Sequence, residues 1–138
     1  MEQSDELRDL TLRLYEAGTI GDLSFFDRHI SRQEGVVFVG LNPNEWWEGF
    51  EAIRERVRAQ SEQMGGMQIV PGQIQAYREG SVGWVIDGDA SFRMPDGTEL
   101  PFRSTSVFRQ EDGEWKVVQN HASFGVSSED MFGEDVTP

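Results

Sequence analysis

Apolar positions recur at helical spacing through the first half of the chain and alternate through most of the second. In SDELRDLTLRLYEAG, Leu7, Leu10, Leu14 and Ala17 form one stripe. Ser4 is placed to cap that helix, and Asp5 and Glu6 sit in its first turn, where negative charge faces the free amide end. Gly18 is the expected stop. A second, short helix is expected after Asp22, burying Leu23, Phe26 and Ile30. The β-branched run VVFVG, residues 36 to 40, reads as a strand. Asn42-Pro43-Asn44 is turn chemistry, with Asn44 placed to cap the next helical segment. In EWWEGFEAIRERVRAQSEQM, Trp46, Phe50, Ile53, Val57 and Met64 keep helical spacing and the charges fall between them. Gly49 separates a first turn from the main helix, and Gly65-Gly66 ends it.

Three hairpin signals punctuate the second half: Glu79-Gly80-Ser81, Pro95-Asp96-Gly97 and Asp112-Gly113. They separate four β segments near residues 68–79, 82–94, 98–111 and 114–124. Consecutive hairpins make an antiparallel meander, and strands of this length twist and curl. The predicted class is α+β, a curled antiparallel sheet with helices gathered on one face. With no repeat and no linker, residues 1–126 read as one domain and residues 127–138 as an acidic, mobile tail, in which Met131 and Phe132 are the groups able to dock.

Composition narrows the function. A 138-residue chain with 9 Phe and 4 Trp can bury a real core. The formal charge of -13 and the lack of a basic stripe argue against nucleic acid and anionic membrane surfaces as partners. No run is long and apolar enough to span a membrane, and MEQSDELRD lacks the blocks of a signal peptide. The chain has no cysteine, which removes disulfide and thiol chemistry and fits a cytoplasmic protein.

The order helix, helix, strand, helix and four-strand meander resembles the nuclear transport factor 2-like (cystatin-like) fold, and three stretches resemble its SnoaL-like group. GLNPNEWWEGFEAI resembles the segment in which a Glu-Trp pair and a glycine precede the third helix. FRSTSVFRQEDGEWKVV resembles the group's Arg-x-Thr strand, Asp-Gly hairpin and Trp-Lys strand start. VVQNHAS resembles its final pattern of two histidines and a serine at alternate positions; Gln119 stands where the first histidine is common, while His121 and Ser123 match. The resemblance spans nearly the whole chain. It implies a curved sheet closed by helices into a cone, with a pocket at the open end. Relatives include ketosteroid isomerase, polyketide cyclases, an epoxide hydrolase and the kinase II association domain, so the fold does not choose the function.

The resemblance also sets what each chemistry needs. Isomerase chemistry implies a carboxylate at the end of the first strand, where VVFVG offers only Val39, and a tyrosine on helix one, where Leu14 stands and Tyr15 is one residue off. Epoxide hydrolysis implies an Asp–Arg–Asp arrangement. Arg103 is the candidate arginine, and Asp87 and Asp89 face outward if Trp84, Ile86 and Phe92 face inward, unless a bulge at Gly88 reverses them.

By simple alternation His121 shares a face with Trp115, Val117, Gln119 and Ser123. It is either a hydrogen-bonded histidine in a polar patch or dimer contact, a ligand group, or an acid–base catalyst. Arg103 and Thr105 point one way, and an arginine there can grip a carboxylate. Trp84 is expected in the sheet–helix core. The expected ligand-binding set is Phe38, Trp46, Trp47, Trp84, Arg103, Thr105, Gln119, His121 and Ser123, with His121 the candidate catalyst. His29 and His121 make no metal-ligand spacing, no Gly-rich phosphate loop follows a strand, and no serine sits in a nucleophile elbow, so neither metal nor cofactor is expected. The expected function is binding of a small, largely apolar organic molecule. The alternatives are a cyclase- or isomerase-type enzyme using His121, and an oligomerisation module with a vestigial pocket. A homodimer is expected through the outer sheet face, carried by Val118, Ala122 and Phe124.

Overall fold

The computed structural model describes residues 1–63, 65 and 67–135; Met64 and Gly66, expected in and after the third helix, lie outside the described residues, as do 136–138. The elements in chain order are β1 (Glu2–Gln3), α1 (Asp5–Ile20), α2 (Leu23–His29), β2 (Val37–Val39), β3 (Trp46–Glu48), α3 (Phe50–Gln63), β4 (Gln68–Val70), β5 (Ile74–Glu79), β6 (Val82–Arg93), β7 (Glu99–Glu111), β8 (Glu114–Ser123) and α4 (Ser128–Phe132). The architecture is α+β, a curved, unclosed sheet covered on its concave side by helices.

Local chemistry accounts for most boundaries. The Ser4 side chain accepts the Leu7 N–H at 3.2 Å, and Asp22 caps α2 by accepting the Phe25 N–H at 3.3 Å. α1 runs through Gly18 and ends at Gly21, whose φ of 73° is the left-handed conformation suited to a C-terminal glycine. Asn44 caps no helix. The Trp46–Glu48 segment pairs antiparallel with Val37–Val39 instead, and Gly49, at φ 91°, turns the chain into α3.

The segment 68–79 is broken in two. Pro71 cannot donate to a ladder, and the next two amides bond side chains of β6: Gly72 N–H to Asp87 at 3.2 Å and Gln73 N–H to Asp89 at 2.8 Å. The break lies beside a register shift in β6 between Asp87 and Ala90.

The sheet order is β1-β5-β6-β7-β8-β2-β3, with β4 also paired to β6. All pairs of the meander are antiparallel; β2 joins β8 in parallel, setting Phe38 beside Asn120. The main core packs Leu7, Leu10, Ile53 and Val57 of the helices onto Val85, Phe108, Trp115 and Val117 of the sheet. A smaller cluster, Ala90, Phe92 and Phe102, occupies the other end of the strands.

A second register shift falls in β8, where Val107 pairs with Gln119 but Phe108 pairs with Val117. Val118 is the extra residue. Trp115 and Val117 point inward before it, and Asn120 and Ala122 point inward after it. In the tail, Ser127 caps α4, and Met131 and Phe132 are 61% and 65% exposed. Among the described residues no helix is long and apolar enough to cross a membrane.

Candidate functional site

Helices α1, α2 and α3 and the concave sheet face enclose a cavity of about 150 Å³. Its buried end is walled by Phe26, Ile30, Phe38 and Val117. Toward the other end Phe92 and Phe102 stack at 4.2 Å, and Leu41, Met67 and Ile69 are only partly buried.

Alternation on β7 places Phe102, Ser104, Ser106 and Phe108 inward, a strip of two aromatic rings with two hydroxyls between them. The Asn120 side-chain amide donates to Ser106 Oγ at 2.8 Å and to Ser104 Oγ at 3.1 Å. Each serine therefore keeps its own O–H to donate into the cavity.

From α1, Tyr15 reaches the same space. Its hydroxyl donates to Asp87 Oδ2 at 2.9 Å, and that oxygen also accepts the Gly72 N–H. Asp87 is 1% exposed and stands behind Tyr15 rather than on the cavity wall, its Oδ1 buried without a partner. Burial, reinforced by the charge of Asp87 and the hydrogen bond to it, holds the Tyr15 pKa far above the usual tyrosine range. Tyr15 thus keeps its proton, commits it to Asp87, and offers the cavity an accepting oxygen. On α3, Arg56 lies over the Trp47 ring at 4.4 Å and lines the cavity beside Val57 and Gln60.

The expected site residues divide between the two faces. Phe38 lines the cavity. Trp47 packs on the core beneath Arg56, while Trp46 is 62% exposed, its Nε1–H given to Glu48. Arg103, Thr105, Gln119 and His121 are exposed on the convex face with half-buried Ser123, and Thr105 pairs with His121 there. Simple alternation put His121 with Trp115 and Val117; the Val118 bulge separates them.

Trp84 is corrected as well. Gly83, Val85 and Asp87 are the inward residues of that stretch, because Leu7 fills the space beneath Gly83, where a Cβ would meet its Cδ1 at 2.2 Å. Trp84 therefore faces out, half-buried and stacked with Tyr77 at 6.4 Å. The make-up of the face expected to pair changes with it: Ala122 lines the cavity, and Ile86 takes an outer position at 42% exposure.

Tyr15, Asp87, Arg56, Ser104, Ser106 and Asn120 were not expected in the site. The serines had a signal, the period-two pattern Phe-x-Ser-x-Ser-x-Phe in FRSTSVF. Arg56 had none, since it reads as one more charge on an exposed helix. Among the described residues the cavity wall carries no histidine and no carboxylate, and no group of three or more His, Asp or Glu side chains is placed to hold a metal ion. The wall can bind and orient; it has little with which to exchange protons near neutral pH.

The SnoaL-like domain family matches residues 7–127, and the chain belongs to that family. No curated protein matches the sequence. Among solved structures, it is similar to a nuclear transport factor 2-like protein of unknown function from Pseudomonas putida KT2440, at 16% identity over 99% of both chains with a TM-score of 0.79. It is also similar to an uncharacterized protein with a cystatin-like fold from Caulobacter vibrioides, at 14% identity over 94% of both chains with a TM-score of 0.77. A third is a nuclear transport factor 2-like superfamily protein from Salmonella enterica serovar Typhimurium LT2, at 14% identity, covering 89% of this chain and 91% of that one, with a TM-score of 0.76. At these identities the likeness establishes the fold.

Proposed function

We propose that the protein binds one small, largely apolar organic molecule inside the cone. The observation that carries this is the cavity of about 150 Å³, apolar over most of its wall but with the Ser104 and Ser106 hydroxyls and the Tyr15 oxygen converging on it. That mixture is what small-molecule sites use, apolar surface for affinity and a few fixed polar groups for orientation. A space of this size accepts a one-ring molecule. Large aromatic side chains leave the cavity open, which favours binding over a vestigial pocket. His121 lies outside it, which removes the motive for a histidine-centred cyclase or isomerase.

The test is saturation-transfer NMR with 2-phenylethanol, a neutral one-ring molecule with one hydroxyl. Wild-type protein and His121→Ala should both transfer signal to it, and Ala122→Phe, which fills the cavity, should not. Transfer that survives Ala122→Phe but disappears in His121→Ala would move the site to the convex face. We also propose that two copies pair across that face, motivated by Trp84 and Ile86 standing on it.

A further inference from the structure

Arg56 occupies the cavity side of α3, one turn before Gln60 on the same wall. Its Nε is buried and has no hydrogen-bond partner. The chain holds 25 acidic residues against 12 basic ones, and the neighbouring arginines of α3 use them. Arg54 binds Asp27 at 2.7 Å, and Arg58 binds both Glu55 and Glu62. Arg56 makes no such pair among the described residues. Glu45 acts on it through space, but its two carboxylate oxygens are engaged by the Leu41 N–H at 2.7 Å and the Asn42 side-chain amide at 2.6 Å.

The Arg56 side chain is half-buried, with its Nε sealed from solvent, and a guanidinium held there without an ion-pair partner is costly to keep. Here it faces a cavity rather than packed side chains, and the Trp47 ring beneath it helps fix the direction of its fork. It is also the one cationic side chain among the described residues that line the cavity. A single guanidinium matches one carboxylate in charge and in two-pronged geometry. A phosphate monoester, with close to two charges, would lack its second counter-charge.

We infer that the molecule bound in the cone is a small monocarboxylic acid, its carboxylate held by Arg56 and its apolar body filling the rest of the cavity. The inference rests on the binding function proposed above and adds the class of ligand. The acidity of the chain makes the distinction sharper. At a formal charge of -13 an anion is repelled by the molecule as a whole, so its preference for this cavity must come from a local cation.

Isothermal titration with three probes of one shape tests it: phenylacetate, phenylacetamide and 2-phenylethanol. Wild-type protein should bind the acid roughly tenfold or more tighter than the amide, the worth of a charge-assisted hydrogen bond. Arg56→Met should erase that preference, with the acid losing far more affinity than the amide, and Arg56→Lys should keep part of it, since the charge stays and the fork goes. The wild-type comparison stands whether or not the variants fold. If amide and alcohol bind as tightly as the acid, the cavity binds ligands and the role given to Arg56 is wrong. If none of the three binds, the proposed binding function fails, and the inference fails with it.

Discussion

The hydrogen bond from Tyr15 to Asp87 ties α1 to β6 from inside the molecule, and burial gives it weight. Removing the hydroxyl leaves a carboxylate with one oxygen unpartnered and the other held by Gly72 N–H alone. Tyr15→Phe should therefore lower the free energy of unfolding by about 1–3 kcal/mol, measured by urea denaturation. Asp87→Asn should cost less, because the amide oxygen still accepts the tyrosine proton. A loss within about 0.5 kcal/mol for Tyr15→Phe, the range of surface changes, would mean that water reaches Asp87 and that the pair is not sealed. Read in the sequence alone, Tyr15 looks misplaced by one position. The fold brings a buried acid to meet it, and no local pattern around either residue announces the other.

Elements fixed by local chemistry were the legible ones. The cap at Ser4, the Leu7–Leu10–Leu14 stripe, the start of α2 at Asp22 and the three hairpins each depend on residues close in sequence, and each forms where the pattern predicts. Features that depend on distant partners were hidden. The stop at Gly18 fails because the helix can continue one more turn, with the left-handed Gly21 available to end it. The helical period of Trp46 gives way to a strand because β2 offers a free edge. Most consequential is Val118. A one-residue bulge moves every later side chain of β8 to the other face, and nothing in VVQNHAS distinguishes a bulged strand from a regular one. On β6 alternation points the wrong way: Val82, Trp84, Ile86, Ala90 and Phe92 share one apolar face in the sequence, but the shift between Asp87 and Ala90 exchanges the faces, so that Val85 and Asp87 point inward with Ala90 and Phe92. The fold class was readable because it sums many local signals; the site was not, because two bulges and one glycine decide it.

For the whole molecule, the division between the concave and convex faces separates two proposed roles. The convex face carries Trp84, Tyr77 and Ile86. If two copies pair there, sedimentation at micromolar concentration should show a dimer, and Ile86→Asp should give a folded monomer with unchanged circular dichroism. A wild-type monomer would reject the pairing. The central claim is that ligand chemistry belongs to the concave face, and amide and methyl chemical-shift mapping with phenylacetate tests it most directly. The account predicts shifts concentrated at Phe92, Phe102, Ser104, Asn120 and Ala122, with Arg103, Thr105, Gln119 and His121 unmoved. Shifts centred on His121 and Arg103, with the residues around Ser104 and Ala122 unperturbed, would contradict it.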